Sequence, residues 1–309
     1  MSGIASAVLG STPVSIQVAG AIRADWNAIG LTGDFVARNL VTGDQLGFSG
    51  GELIPLASVA KVPLALAVLQ AGQLGSLDLA RTLTIDPATS SFGATGLSGF
   101  RYPVTISVHD LVHQMLVVSD NAAGDALLDL VGLEQLNGCL ADWGITDIRF
   151  RHRFQTMYDC AVGVAGNDFR LALELAIEDD ASGRHRIDSL NSAKANVGSA
   201  AAVVDLLAGI WLDDISRPAA TAEVRRLMGK QTSVHRLSSD LQADTISVAT
   251  KTGTFLNLRH DAGVVQTDRG DRIVVVALTR SSQRALVQQP VDLAIGAAAR
   301  RAVESLRSA

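Results

Sequence analysis

The chain has 309 residues, 48% of them hydrophobic and 18% charged, enough apolar material for one large domain or two modest ones and too much for a disordered chain. Its formal charge of −5 argues against a nucleic-acid partner, because phosphate backbones need a basic surface. Aromatic residues make up only 4%, so alanine, valine and leucine must carry the packing.

No run of eighteen apolar residues occurs, so no membrane span is expected. The first basic residue is Arg23, and the charged stretch that opens a leader peptide is not seen. The expectation is a cytoplasmic chain, or a secreted one if a leader has been removed. Cys139 and Cys160 allow at most one disulfide, and two isolated cysteines read more simply as free thiols.

In chain order, residues 12–29 carry Ile16, Ala19 and Ile22 at helical spacing. Residues 33–40 and 44–49 form two short strands around the turn Thr42-Gly43-Asp44. From 55 to 212 the pattern is helical. Residues 55–72 predict an apolar helix ending at Gly72. In 107–118, Ser107 with Asp110 three residues on marks a helix start. Further helices are predicted over 122–132, 133–144 and 198–212. Residues 148–154 instead alternate Arg149, Arg151 and Arg153 with Phe150, His152 and Phe154. A strand or extended loop with one solvated face accounts for that better than a basic binding patch. Strands return over 244–253, 260–268 and 271–280, the last two joined by Thr267-Asp268-Arg269-Gly270. A helix beginning at Pro290 closes the chain. Strands at both ends around a helical middle predict an α/β plus all-α architecture. In it an antiparallel sheet domain (1–54 and 213–309), flanked by terminal helices, carries an inserted all-helical domain (55–212).

Three short motifs carry chemistry. Ser58-Val59-Ala60-Lys61 opens the apolar helix, since Pro63 is tolerated only near a helix's first turns. The helix start favours developing negative charge at Ser58, and Lys61, three residues on, lies on the same face. A lysine in an apolar, already cationic pocket loses its proton readily and can act as a base. Ser119-Asp120-Asn121 lies between two predicted helices and offers a hydroxyl, a structural carboxylate and an amide. Lys251-Thr252-Gly253 ends a predicted strand with a cation, a hydroxyl and a glycine that admits close backbone approach. Each is an ordinary string alone; the three in this order on these elements are not.

With these motifs the chain resembles the penicillin-recognising serine enzymes, in particular the class A β-lactamase-like group. Residues 105–128 resemble that family's helix–motif–helix segment, and 251–265 its active-site strand and the strand after it. The likeness extends over about residues 15–305. It implies Ser58 as nucleophile, Lys61 as its base, and Ser119 as proton relay supported by Lys251. It also implies Asn121 orienting the substrate's side-chain amide. The backbone N–H groups of Ser58 and Thr254 would form the oxyanion hole, beside Gly253. Thr252, Thr254 and Arg259 would bind a substrate carboxylate. The implied activity is hydrolysis through an acyl-enzyme, with no cofactor and no metal. The substrate would be a small carboxylate-bearing molecule, a β-lactam or a related amide or ester, and the protein a monomer.

One family feature is missing. The Glu-x-x-Leu-Asn motif, whose glutamate activates the deacylating water, does not follow Ser-Asp-Asn. Residues 153–155 stand where it is sought and offer no carboxylate. Asp188-Ser189-Leu190-Asn191 is a shortened echo, and Glu174 and Glu178 lie on a predicted helix as solvated side chains. The interval from Ser119 to Lys251 is also longer than is usual for the family. Acylation therefore looks complete while deacylation is unsupported. That leaves open a D-alanyl-peptidase or esterase, and also a non-turnover penicillin-binding sensor or biosynthetic accessory protein.

Two decoys can be set aside. Gly47-Phe48-Ser49-Gly50-Gly51 matches the nucleophile-elbow string, but Glu-Leu-Ile-Pro follows rather than a helix. His109 and His113 sit four apart on one helix face, yet no third zinc ligand accompanies them. His235 and His260 have no recognisable partners, although His260 adjoins Arg259 near the cleft.

Overall fold

A computed structural model describes residues 7–308 apart from Gly50 and Gly183. Strand β1 (Ala7–Gly10) leads into α1 (Pro13–Ala28), whose start is set by Thr12 and Ser15, each side chain bonded to the other's backbone N–H, with proline in the first turn. β2 (Leu31–Asn39) and β3 (Gln45–Ser49) form the expected hairpin. A two-residue strand β4 (Ile54–Pro55) and a 3-10 turn (Ala57–Ala60) precede α2 (Lys61–Gln73).

β5 (Thr82–Ile85) and β6 (Val104–Ser107) pair as a small ribbon before α3 (Val108–Val117), capped by Ser107 as the sequence predicts. α4 (Asn121–Val131), α5 (Leu133–Asp142), β7 (Ile148–Arg149), α6 (Gln155–Ala165) and α7 (Phe169–Ser182) follow. Then come β8 (Val197–Gly198), α8 (Ala200–Leu212) and α9 (Pro218–Met228). The chain finishes with β9 (Ile246–Phe255), β10 (Leu258–Thr267), β11 (Arg272–Ser281) and α10 (Gln289–Leu306).

The main sheet is antiparallel in the order β1-β3-β2-β11-β10-β9, so strands from both ends of the chain meet at the β2–β11 pairing. Both of its faces are covered, which explains why residues 273–278 are apolar without alternation. Ile273, Val275 and Ala277 face α1 and α10, where Trp26 meets Phe35 and Phe48 edge-on. Val274, Val276 and Leu278 face the helical layer. α8 lies directly on this second face, and α9 packs on α2, α3 and α8, so the helical layer continues past residue 212.

β1, the β5–β6 ribbon and the β4-β8-β7 ribbon are too short to stand out from the sequence. Each exists through pairing with a distant partner rather than through its own pattern. Cys139 and Cys160 are free thiols. No helix among the described residues is long and apolar enough to cross a membrane.

Candidate active site

Ser58 lies in the 3-10 turn, not in an α-helix as the sequence suggests, and this difference shapes the site. Side chains three apart nearly eclipse in 3-10 geometry. Lys61 follows as the first residue of α2, and its Nζ reaches 3.2 Å from the Ser58 Oγ. The turn is entered through Ala57 at φ +46°, a left-handed conformation that costs a non-glycine residue about 1–2 kcal/mol. Ser119 is also left-handed, at φ +62°, in the break between α3 and α4. Among the described non-glycine residues four have positive φ, and two of them sit here, the pattern of strain held at a working site.

Lys61 is fully buried, and its neighbours define what it can do. Its Nζ is 2.6 Å from the Ser119 carbonyl oxygen and 2.6 Å from Asn121 Oδ1. The Asn121 amide is oriented by its Nδ2, which donates to the Phe92 carbonyl, so both close contacts of Nζ are acceptors. Nζ therefore faces two fixed acceptors as well as the hydroxyls of Ser58 and Ser119. Burial pushes the Lys61 pKa well below its usual value, and the nearby Lys251 pushes the same way, against Asp120 and Asp125. Burial and Lys251 thus make Lys61 easier to deprotonate than an ordinary lysine, and its Nζ stands at the serine hydroxyl.

Lys251 points from β9 into the same pocket. Its Nζ donates to Ser119 Oγ at 3.0 Å, while Lys61 Nζ lies 3.4 Å from that same oxygen. The Ser119 hydroxyl thus bridges two amines, as a proton relay requires. Burial brings Lys251 to about 7, with Asp261 holding it up and Arg236 pressing it down. β9 can lie against the nucleophile turn because residue 253 is glycine: a Cβ there would meet the Leu56 carbonyl oxygen at 2.9 Å. That close approach puts Thr254, exposed on β9, beside the turn.

The carboxylate end differs from the expectation. Arg259, directly across the ladder from Thr254, is buried and turned away. Its guanidinium donates to the carbonyls of Leu256 (2.5 Å), Leu258 (2.8 Å) and Leu286 (3.0 Å). Burial, with Arg236 nearby, lowers it to about 10. The cation at Thr254 is Arg236, from the segment between α9 and β9, which donates to Thr254 Oγ1 at 2.9 Å and pairs with Asp292 at 2.7 Å. Thr252 is held by Gln231, whose Oε1 accepts from its backbone N–H (2.8 Å), from its hydroxyl (3.2 Å) and from Lys251 (3.2 Å). No motif marked Arg236 or Gln231; both lie in irregular chain that only the fold brings to β9.

His260 is structural. Its Nδ1 accepts from the Thr279 N–H, so its Nε2 carries the proton and donates to the Pro55 carbonyl at 2.8 Å. Burial drops it to about 3, so it stays neutral.

Where a deacylating carboxylate is expected, the ring of Phe154 lies over Lys61, 4.9 Å from Nζ to the ring centre. Gly124 makes room for it, since a Cβ there would meet that ring at 3.0 Å. The carboxylates nearest Lys61 are already engaged. Asp120 caps α4 through Ala123 and accepts from the Leu97 N–H. Asp125 accepts from the N–H groups of Phe154 and Gln155 and from the Ser91 hydroxyl. Asp188 is at the surface, paired with Lys194 at 2.9 Å, and Glu178 is exposed and paired with Arg186 at 3.1 Å. Glu174 is exposed on α7.

An aromatic cluster that the sequence did not reveal lines the rim. Phe92, Tyr158, Phe169 and Phe255 come from four segments, with Tyr158 touching the other three at 5.0–6.1 Å between ring centres. Burial pushes the Tyr158 hydroxyl pKa up, against a smaller opposing effect of the Asn121 side chain.

The decoys resolve structurally. Ser49 ends β3 bonded to Asp34, with the neighbouring Gly50 outside the described residues, and His109 meets Glu223 at 2.9 Å. No group of three or more metal-binding side chains occurs among the described residues.

Comparison with known proteins agrees with this fold. A β-lactamase regulatory protein, BlaB, from Streptomyces cacaoi is 38% identical over 292 residues, covering 90% of this chain and 94% of that one. Among solved structures, a β-lactamase from Sphaerobacter thermophilus superposes with a TM-score of 0.76 at 21% identity, covering 93% of this chain and 96% of its own. The structure of PBP-A gives 0.74 at 19%, covering 96% of both chains. The model of the β-lactamase enzyme family matches residues 17–306, and the chain belongs to that family of penicillin-recognising serine proteins.

Proposed function

We propose that the chain forms an acyl-enzyme on Ser58 with β-lactams, or with related amides and esters that bear a carboxylate, and that this acyl-enzyme is long-lived. The observation that carries the reading is the buried Lys61 aimed at the Ser58 hydroxyl, its pKa lowered by burial and by Lys251. Lys61 takes the hydroxyl proton as Oγ attacks the carbonyl carbon. The C–N bond breaks as Ser119 protonates the leaving nitrogen, and the proton held by Lys61 returns to Ser119 across their 3.4 Å contact. Lys251 keeps positive charge at the relay, and the N–H groups of Ser58 and Thr254 stabilise the oxyanion. Arg236, through Thr254, supplies the attraction for a carboxylate that Arg259 cannot supply.

Persistence of the adduct follows from Phe154. Deacylation needs a base beside the water, and the carboxylates near Lys61 accept hydrogen bonds that hold the fold. An apolar ring offers no substitute. The likeness to a protein named as a regulator supports a sensing role over rapid turnover.

The test is incubation with a chromogenic cephalosporin, following intact mass and absorbance together. A persistent adduct that disappears in Ser58→Ala supports the reading. Rapid hydrolysis overturns the long-lived intermediate, and failure of both a lactam and an active-site ester to label Ser58 overturns the nucleophile itself.

A further inference from the structure

A cavity of about 490 Å³ lies between α7 and the segment just before α10, lined in part by Arg170, Leu173, Glu174, Arg284, Leu286 and Val287. The chain connects it to the aromatic rim through α7. Phe92, whose carbonyl accepts from Asn121, stacks on Phe169 at 6.3 Å, and Arg170 is the next residue. The opposite wall is firmly built. Arg259 donates to the Leu286 carbonyl, and the buried Gln288 donates to the carbonyls of Gln283 (2.9 Å) and Ala285 (2.7 Å). This gives Arg259 a purpose: it shapes the groove instead of contacting a substrate at Thr254.

The chemistry of the groove is amphipathic. Leu286 and Val287 are 51% and 84% exposed, an apolar surface for a methylene chain. Arg170 and Arg284 are exposed, and no carboxylate lies within ion-pair distance of either among the described residues. Glu174, one helical turn from Arg170, is the single acid in the lining, so two positive charges face one negative.

We propose that this groove is a subsite for the far end of the substrate's acyl group, selecting an aliphatic chain that ends in a carboxylate. The inference rests on acylation at Ser58 and names the substrate class for that site. Its chemistry is ordinary charge-assisted hydrogen bonding from guanidinium to carboxylate, beside apolar contact along the chain.

The experiment measures acylation rates with three penicillins: one with an adipyl side chain, its distal methyl ester, and benzylpenicillin. The adipyl compound is expected to react about tenfold faster than its ester at low salt, with the advantage shrinking as salt rises. Arg170→Ala with Arg284→Ala removes the advantage and leaves benzylpenicillin unchanged, and Glu174→Gln enlarges it. An α-aminoadipyl analogue tells whether an ammonium beside the carboxylate adds to recognition through Glu174; equal gain for both analogues still supports the carboxylate subsite. Equal rates for acid and ester, or an advantage that survives in the double variant, overturn the subsite while leaving acylation intact. Failure of all three to acylate Ser58 brings down both readings.

Discussion

The centre of the cleft and its rim are built by opposite means. At the centre, Lys61 bonds Asn121 and Ser119, and Lys251 bonds Ser119, so the four residues form one hydrogen-bonded chain. On the rim, residues 148–182 contribute rings and extended backbone, and the nearby carboxylates are consumed in holding that backbone. A polar network can move a proton; an aromatic wall can position a substrate and exclude water. That contrast is the basis for the proposal of a cleft that begins a reaction more readily than it ends one.

The contrast is broken most severely at Lys61. Lys61→Met is expected to slow acylation about 10³-fold, the scale of a lost general base. In the unsubstituted protein the rate should rise as Lys61 loses its proton and fall as Lys251 loses its own near pH 7. Lys61 must be neutral and Lys251 charged, which is why the limbs have those signs. Stopped-flow acylation across pH 5–9 checks both statements, and a flat profile would count against the two-amine relay.

Phe154→Glu sharpens the contrast from the other side. A carboxylate there would meet Lys61 and stand in place of the ring. Adduct lifetime should shorten by about ten- to a hundredfold, within the range of general-base catalysis. Losing a fully buried phenyl group should also cost about 3–5 kcal/mol of stability, so thermal melting must accompany the lifetime measurement. A folded variant with an unchanged lifetime would show that Phe154 is not what blocks the second half-reaction.

The smallest expected effect separates the two arginines. Arg236→Ala should weaken capture of carboxylate-bearing substrates about tenfold at limiting concentration, and should also lower stability, because its buried guanidinium serves Asp292 and the carbonyls of Gly253 and His260. Arg259→Ala should lower stability by about 2–3 kcal/mol without changing capture, because buried carbonyls of Leu256 and Leu258 lose their donor. Acylation titrations on both variants, read on the fraction that melting curves show to be folded, distinguish the assignments by whether capture changes.

Read by themselves, the residues determine a good deal here. Ser58, Lys61, Ser119 and Lys251 are legible because each belongs to a short motif, and a motif records local geometry: a tight turn, a break between helices, a strand end. The sheet and most helices are legible because their apolar periodicity is local too. The absent glutamate is also visible in the sequence, as a missing string between Ser119 and Lys251. Only the tertiary structure decided what replaces it, that Phe154 covers Lys61, and which arginine serves Thr254. Arg236, Gln231 and the rings of Phe92, Tyr158, Phe169 and Phe255 come from segments separated by tens of residues and share no pattern. Their roles depend on which way a side chain turns once the sheet and helical layers close, and Arg259 turned toward backbone carbonyls that burial would otherwise leave unpaired.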